Sequence, residues 1–362
     1  MKDSPLRQYG PLALAALCVI AGQWLWPFYD SLSLALLVIA AGLFWSSHGW
    51  KPRAAALAMT AAALFWSSLD PKECSAWWRG RVVFEKAAGH LPYLGWGGIQ
   101  SFALGPCRSY YKAEPEVMAS VNRIAEKSVA DHRFELYETP LGNLWIEAPG
   151  KKLLAWLVWE LTRQEDYESQ QVQIQPGDTV IDCGAHVGTF ARYALARGAG
   201  RVVAIEPDAT NLEMLEANLA EEIAAGRVLL IRAGVWDQRT VLTLTRQDGN
   251  SAAHTFVRTV ADGTKIEGMP VLTLDQIVAE HGVDRVDFIK MDIEGAERRA
   301  LAGARDTLRR FKPRMAISSY HMWDDPQAIP AVVRGAQPAY LIHAKDFERG
   351  PWRLITKVLF FH

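Results

Sequence analysis

The chain is 362 residues long, enough for one large domain with an appendage or for two domains. Its 39 Lys and Arg against 40 Asp and Glu leave a net charge of −1, so it lacks the basic footprint of a protein that coats nucleic acid. A composition 50% hydrophobic and 22% charged excludes general disorder, and four cysteines without CxxC or Cys/His spacing make neither a disulfide scaffold nor a zinc site.

The N-terminal quarter reads as membrane. Residues 11–29 and 31–47 are apolar runs near the ~17–25 residues that a helix needs to cross a bilayer, and Asp30 is the only formal charge between Pro11 and Trp50. Trp24, Trp26, Tyr29, Trp45 and Trp50 stand at their ends, where amphipathic rings favour the headgroup layer. A third run, 54–66, is shorter and rich in alanine. A cleaved signal peptide would also place Lys2 and Arg7 before an apolar core, but a second full-length run follows directly. Residues 1–69 are therefore expected to be a membrane anchor of two or three helices. Residues 70–133 form a connector in which Arg79, Arg81 and Lys86 alternate with Trp77, Trp78, Val82, Val83 and Phe84, as in a membrane-surface segment or a small packing unit.

From Phe134 the texture becomes globular. Residues 134–146 read as a hairpin turned at Leu141-Gly142-Asn143, and 153–167 as a helix. Strands over 179–183, 201–205, 228–233, 286–291 and 314–318 then alternate with helices over 189–196, 211–224 and 297–311. Such alternation predicts a parallel sheet with helices on both faces. Residues 240–274 break the rhythm with hairpin-like strands. A helix near 327–334 and two final strands, 339–343 and 353–361, follow.

Three segments carry chemistry. The first is Asp182-Cys183-Gly184-Ala185-His186-Val187-Gly188, where a buried strand meets a glycine turn and a helix. Its spacing is DxGxxxG rather than the GxGxxG of a pyrophosphate loop. A carboxylate there suits a cationic or hydroxylated ligand and would repel phosphate. The second is Glu206, which ends the next strand 24 positions after Asp182, where an acidic side chain can accept from both hydroxyls of a ribose. The third is Phe288-Ile289-Lys290-Met291-Asp292-Ile293-Glu294-Gly295-Ala296-Glu297, at the carboxyl end of a strand, the edge where open α/β sheets bind ligands. Asp292 is the functional candidate, and Glu297 falls in a first helical turn where it favours the macrodipole. His186 reads as loop packing or as facing the substrate.

Together these segments resemble the FkbM-type family of class I S-adenosylmethionine-dependent methyltransferases. The likeness rests on VIDCGAHVGTF, on AIEPD followed by Asn211, on VLTLDQI at 271–277 and on FIKMDIEGAE, and it spans residues 134–362. It implies a Rossmann-like seven-stranded α/β sheet whose last strand, near 353–361, runs antiparallel. It also implies that Asp182, Gly184 and Gly188 wrap the methionine end of S-adenosylmethionine and that Glu206 holds the ribose. Ala233-Gly234-Val235 would lie near the adenine, with Gly234 as the contact, and Asp292 would face the methyl group and the acceptor. His321 follows the fifth strand on the same edge. It reads either as the base, from an ordinary pKa near ~6.5, or as a loop histidine held by hydrogen bonds. Asp292 and Glu294 alone are too few ligands for a metal, so none is expected.

The reading is thus a membrane-anchored methyltransferase, O-methylating a sugar, lipid-linked glycan, natural product or other hydroxyl. An NAD-type oxidoreductase is disfavoured by the loop spacing. A degenerate fold serving as a membrane-tethered binding module is disfavoured by Asp182, Glu206 and Asp292 occurring together. The catalytic domain is expected to face the cytoplasm, because S-adenosylmethionine is a cytosolic metabolite and Lys72, Arg79, Arg81 and Lys86 follow the third run. A hairpin of the first two runs, with 54–66 in the interface, is preferred to three crossings.

Overall fold

The computed structural model describes residues 83, 86, 91, 93–95, 115–247, 249–258, 263–345, 347–349 and 354–362. The three apolar runs, and Cys74 and Cys107 of the connector, lie outside the described residues. Among the described residues no helix is long and apolar enough to cross a membrane.

A short helix, α1 (Pro115–Ser120), leads into an antiparallel meander of β1 (Asn122–Val129), β2 (His132–Thr139) and β3 (Gly142–Glu147). Alternation sends Leu144 and Ile146 of β3 to one face, with Phe134 of β2. They meet Leu154, Ala155 and Val158 of α2 (Lys151–Trp159), which continues as a π-turn over Glu160–Gln164. Phe134 is fully buried there, and truncating it to alanine should cost about 3–5 kcal/mol. The sequence reading ended the connector at residue 133, yet β1 pairs with β2 from Asn122 opposite Glu138 to Val129 opposite His132. No side chain of β1 is buried, so its sequence carries no apolar alternation to mark a strand.

The central sheet collects β4 (Thr179–Cys183), β5 (Arg201–Ile205), β6 (Val228–Ile231), β10 (Phe288–Met291), β11 (Arg314–Ser318), β12 (Ile342–Ala344) and β15 (Val358–Phe361) in the order β12-β15-β11-β10-β4-β5-β6. The five strands from β6 to β11 are parallel, and β15 runs antiparallel between β11 and β12. This is the seven-stranded sheet and antiparallel last strand that the sequence led us to expect. All four residues of β10 and the last four of β4 and β5 are buried, so these strands read as continuous apolar runs rather than alternating ones. Between them run α3 (Thr189–Ala196), α4 (Ala209–Asn218), α5 (Ala220–Ala224), α6 (Leu274–Glu280), α7 (Glu297–Ala302), α8 (Arg305–Phe311) and α9 (Asp325–Ala336). A second three-stranded sheet, β7 (Gly234–Val235), β8 (Thr240–Arg246) and β9 (Thr264–Leu272), supplies the expected antiparallel pair, β8 with β9. A hairpin of β13 (Phe347–Arg349) and β14 (Leu354–Thr356) precedes β15.

Two helices expected to be continuous are each broken, for identifiable reasons. At the end of α4, the Asn218 side chain accepts from Trp145 N at 2.6 Å and donates to Trp145 O and Val187 O, clamping the meander to the glycine loop. The chain then turns at Leu219 into α5. After α7, Gly303 passes so close to Trp236 that a Cβ would lie 2.3 Å from its carbonyl oxygen, and the helical course stops there. These breaks fix which helix ends face the carboxyl edge of the sheet.

Candidate functional site

At the end of β4 the backbone turns through Gly184, with φ +79°. A Cβ there would meet the Asp292 carbonyl oxygen at 2.1 Å, so the loops after β4 and β10 touch through bare backbone. Gly184 N and Ala185 N both donate to Ile205 O at 3.0 Å, tying the same loop to β5. His186 follows in the left-handed region, φ +52°, and its N–H donates to Glu206 Oε2 at 2.9 Å. Its Nε2 lies 2.8 Å from Ser251 Oγ. Burial, then the neighbouring His254 and Lys290, drop its pKa to about 3, so the ring is neutral.

Glu206 is 5% exposed. Besides His186 it accepts from Asp208 N at 3.0 Å and Asn211 Nδ2 at 3.3 Å. Burial nevertheless outweighs these donors and raises its carboxyl to about 7. Glu206 and Gly184 line a cleft with Gly234, Phe256 and Asp292. Gly234 has Phe256 packed where a side chain would go, at 2.5 Å from an ideal Cβ.

Two expected cofactor contacts are not on this wall. Asp182 is fully buried and its Oδ1 stands 3.1 Å from Lys290 Nζ, which also donates to Gly184 O at 2.9 Å. Burial pulls the Lys290 ammonium down, but Asp182 and Asp292 hold it above its ordinary value. The Asp182–Lys290 pair therefore braces the glycine loop from behind. Gly188 opens α3 with φ +89°, against Leu219 and Leu215 of the next helical layer, and serves packing.

The other half of the cleft is built from the ends of β10 and β11. Tyr167 OH donates to Asp292 Oδ2 at 2.6 Å. Burial and the Asp292 charge push the phenol well above its usual pKa, so it stays a donor. Burial works against the Asp292 carboxylate as well, but His321, Lys290 and Tyr167 outweigh it and hold the group below the usual range. His321 Nε2 lies 3.4 Å from Asp292 Oδ1 and 3.5 Å from Glu294 Oε2, while Nδ1 lies 3.0 Å from Glu297 Oε1. Burial alone would lower the His321 pKa, yet Glu297, Glu294 and Asp292 raise it well above 6.5. The three carboxylates thus favour the protonated ring. Glu297, expected to favour the helix macrodipole, is fully buried and spends its carboxylate on His321 and on Ile293 N.

The cleft wall thus carries the carboxylates of Glu206, Asp292 and Glu294, the last paired with Arg258. With His186 neutral, that lining suits a ligand bearing positive charge and hydroxyl donors and opposes a pyrophosphate. Two contributors escaped the sequence reading. Lys290 had a usable signal, a lysine inside an otherwise apolar buried strand, which must find a partner. Tyr167 had none, because its partner lies 125 residues away.

Residues 182–339 match the family model described as methyltransferase FkbM domain. Over 180 residues the chain is 29% identical to the 31-O-demethyl-FK506 methyltransferase FkbM of Streptomyces tacrolimicus, an alignment covering 42% of this chain and 68% of that protein. It is 27% identical over 183 residues to the AMB antimetabolite synthetase AmbE of Pseudomonas aeruginosa, covering 41% of this chain and 8% of the relative. Among solved structures, methyltransferase FkbM from Methylobacillus flagellatus KT is similar at 23% identity and a TM-score of 0.41, over 59% of this chain and 54% of its own. The chain thus spans about half of that structure. The span matched by the family model contains Gly184, Glu206, Asp292 and His321.

Proposed function

We propose that this chain is an S-adenosylmethionine-dependent methyltransferase of FkbM type. It O-methylates a hydroxyl acceptor and is anchored in a membrane by its N-terminal apolar runs, with the catalytic domain in the cytoplasm. The observation that carries the reading is Glu206, a carboxylate buried at the end of β5 and facing a cleft whose opposite wall is Asp292. The fold alone gains little from a carboxylate whose pKa burial has raised to about 7. A ligand with two vicinal hydroxyl donors offsets that cost. The family match over residues 182–339 supports the same reading, and the name of the Streptomyces relative supports an oxygen acceptor.

The residues fit the cofactor. Gly184 leaves backbone where a side chain would crowd Asp292, Glu206 can take the ribose, and the carboxylate-lined wall suits a sulfonium with its ammonium group. When bound, S-adenosylmethionine supplies an electrophilic methyl on positively charged sulfur. Asp292 would hold the acceptor hydroxyl in line by accepting its hydrogen bond, and would take its proton as the new O–C bond forms and the S–C bond breaks to leave the thioether. Tyr167 fixes the Asp292 rotamer through Oδ2 and leaves Oδ1 for the acceptor. Anchoring rests on the length and apolarity of the two long runs, and the cytoplasmic side on the cofactor's location and on the basic residues after 54–66.

Calorimetric titration of the full-length protein with S-adenosylhomocysteine and, separately, NAD tests the proposal. Binding of the first with no heat from the second is expected. Binding of NAD alone would replace the methyltransferase reading with an oxidoreductase.

A further inference from the structure

One group behind the Asp292 and Glu294 wall of the cleft is not absorbed by cofactor binding or by acceptor positioning. His321 has a side chain only 1% exposed, and its Nε2 completes no hydrogen bond. Its Nδ1 is fixed by Glu297, so the ring is aimed with Nε2 toward the carboxylates of Asp292 and Glu294. A buried carboxylate on one ring nitrogen, with the other nitrogen pointing at two more carboxylates, is the arrangement in which histidine ligates a metal, the cation displacing the proton from Nε2. Asp292 Oδ1 likewise has no hydrogen-bond partner.

We propose that Asp292, Glu294 and His321 bind one divalent cation of the Mg2+/Mn2+ class at the acceptor end of the cleft. One donor atom from each of the three lies within 4.8 Å of the others. Two donors about 2.1 Å from one ion, at angles between octahedral and tetrahedral, are separated by about 3.0–3.4 Å. The observed 3.4 and 3.5 Å from Nε2 to the two carboxylates need little adjustment to meet that spacing. Two carboxylates and one imidazole form a mixed, mainly hard donor set that suits Mn2+, and Mg2+ where carboxylates dominate. Glu294 Oε2 also pairs with Arg258, which steadies the carboxylate beside the ion. Asp292 can serve through Oδ1 while Tyr167 keeps Oδ2, the ion then holding the acceptor oxygen that Oδ1 holds without it. Glu294 holds this place in a left-handed conformation, φ +57°, with its carbonyl accepting from Thr255 Oγ1 at 2.7 Å. Three protein donors leave open positions in a six-coordinate ion for the oxygens of the acceptor. That role rests on the methyltransferase reading, whereas the binding itself does not.

The test uses full-length protein stripped with a chelator and titrated with MnCl2, with bound metal read from loss of the free Mn2+ electron paramagnetic resonance signal. Expected is one bound ion below ~1 mM, and a pulsed-resonance spectrum showing coupling to one imidazole 14N. His321→Asn should erase that coupling and weaken Mn2+ binding ~10-fold or more, with S-adenosylhomocysteine affinity within a few-fold. The wild-type spectrum decides the case even where the variant does not fold. Absence of Mn2+ binding, bound Mn2+ without nitrogen coupling, or coupling that survives His321→Asn overturns the site. Protein that binds S-adenosylhomocysteine but not Mn2+ loses only this proposal. Protein that binds Mn2+ through nitrogen but neither methyl-cofactor form loses the methyltransferase reading and keeps the cation site.

Discussion

The two halves of the cleft are built differently. The half at β4 and β5 is local and made largely of backbone: Gly184 N and Ala185 N on Ile205 O, and His186 N and Asp208 N on the Glu206 carboxylate. The half at β10 and β11 is made of side chains drawn from distant positions: Tyr167, Asp292, Glu294, Glu297 and His321, with Arg258 on the rim. Backbone donors cannot be mutated away and change little with pH. A cluster of three carboxylates around one imidazole is set by mutual charge, which raises the pKa of the imidazole. The first half suits an invariant ligand, and the second an acceptor or ion that must be exchanged.

The largest effect should come where the halves touch. Gly184→Val adds a Cβ 2.1 Å from Asp292 O at a φ of +79°, so it strikes the fold itself. The obstacle is the neighbouring backbone. We expect a loss of at least about 3 kcal/mol and a fall in Tm on the order of 10 °C. A variant with unchanged Tm that had lost only cofactor binding would place the obstacle at the ligand instead.

Next in size, Asp292→Asn should lower turnover by ~10²–10⁴-fold while leaving S-adenosylhomocysteine affinity within a few-fold. The comparison predicts this separation, since Asp292 belongs to the side-chain half. Parallel losses of affinity and turnover would show that the halves act as one.

The same contrast governs what could be read from the sequence. The succession of strands and helices along the chain and the glycine loop were legible because a buried parallel strand, a turn and a helix follow one another within a dozen residues. Glu206 was legible because its distance from Asp182 reflects one β-helix-β repeat. The direction of Asp182 was not legible, because the end of a strand does not say which way its last side chains point, and here it points to Lys290. The triad on His321 was out of reach for a different reason. Glu294, Glu297 and His321 meet only because β10 and β11 are adjacent, and adjacency of strands is a property of the sheet. The membrane runs, legible by length alone, lie outside the described residues.

A third prediction uses Glu206, a carboxylate of the local half whose pKa the fold raises. Glu206 sits near 4.5 in the unfolded chain and at about 7 in the fold. The folded state therefore holds the extra proton between those values, and stability falls as pH rises through that window. Wild type should lose up to roughly 3 kcal/mol relative to Glu206→Gln between pH 4.5 and 8, measured by urea unfolding at several pH values. Saturating S-adenosylhomocysteine should flatten the slope, because hydroxyl donors favour the charged carboxylate. An unaltered slope with ligand bound would remove Glu206 from the ribose.

The smallest effect sharpens the comparison most, because it perturbs one half through a single atom. Tyr167→Phe deletes the hydroxyl that donates to Asp292 Oδ2 and leaves the ring against Phe190, a T-shaped contact at 5.6 Å between centroids. Packing and backbone are untouched, so Tm should move little. His321 and Lys290 still favour the charged Asp292 carboxylate. What is lost is the fixed rotamer, about 1 kcal/mol of orientation, which predicts a fall in kcat of roughly 3–10-fold with no change in affinity for S-adenosylhomocysteine. A change in cofactor affinity instead, with kcat preserved, would mean that Tyr167 reaches across to the backbone-built half. The division of the cleft at the Gly184–Asp292 contact would then have to be redrawn.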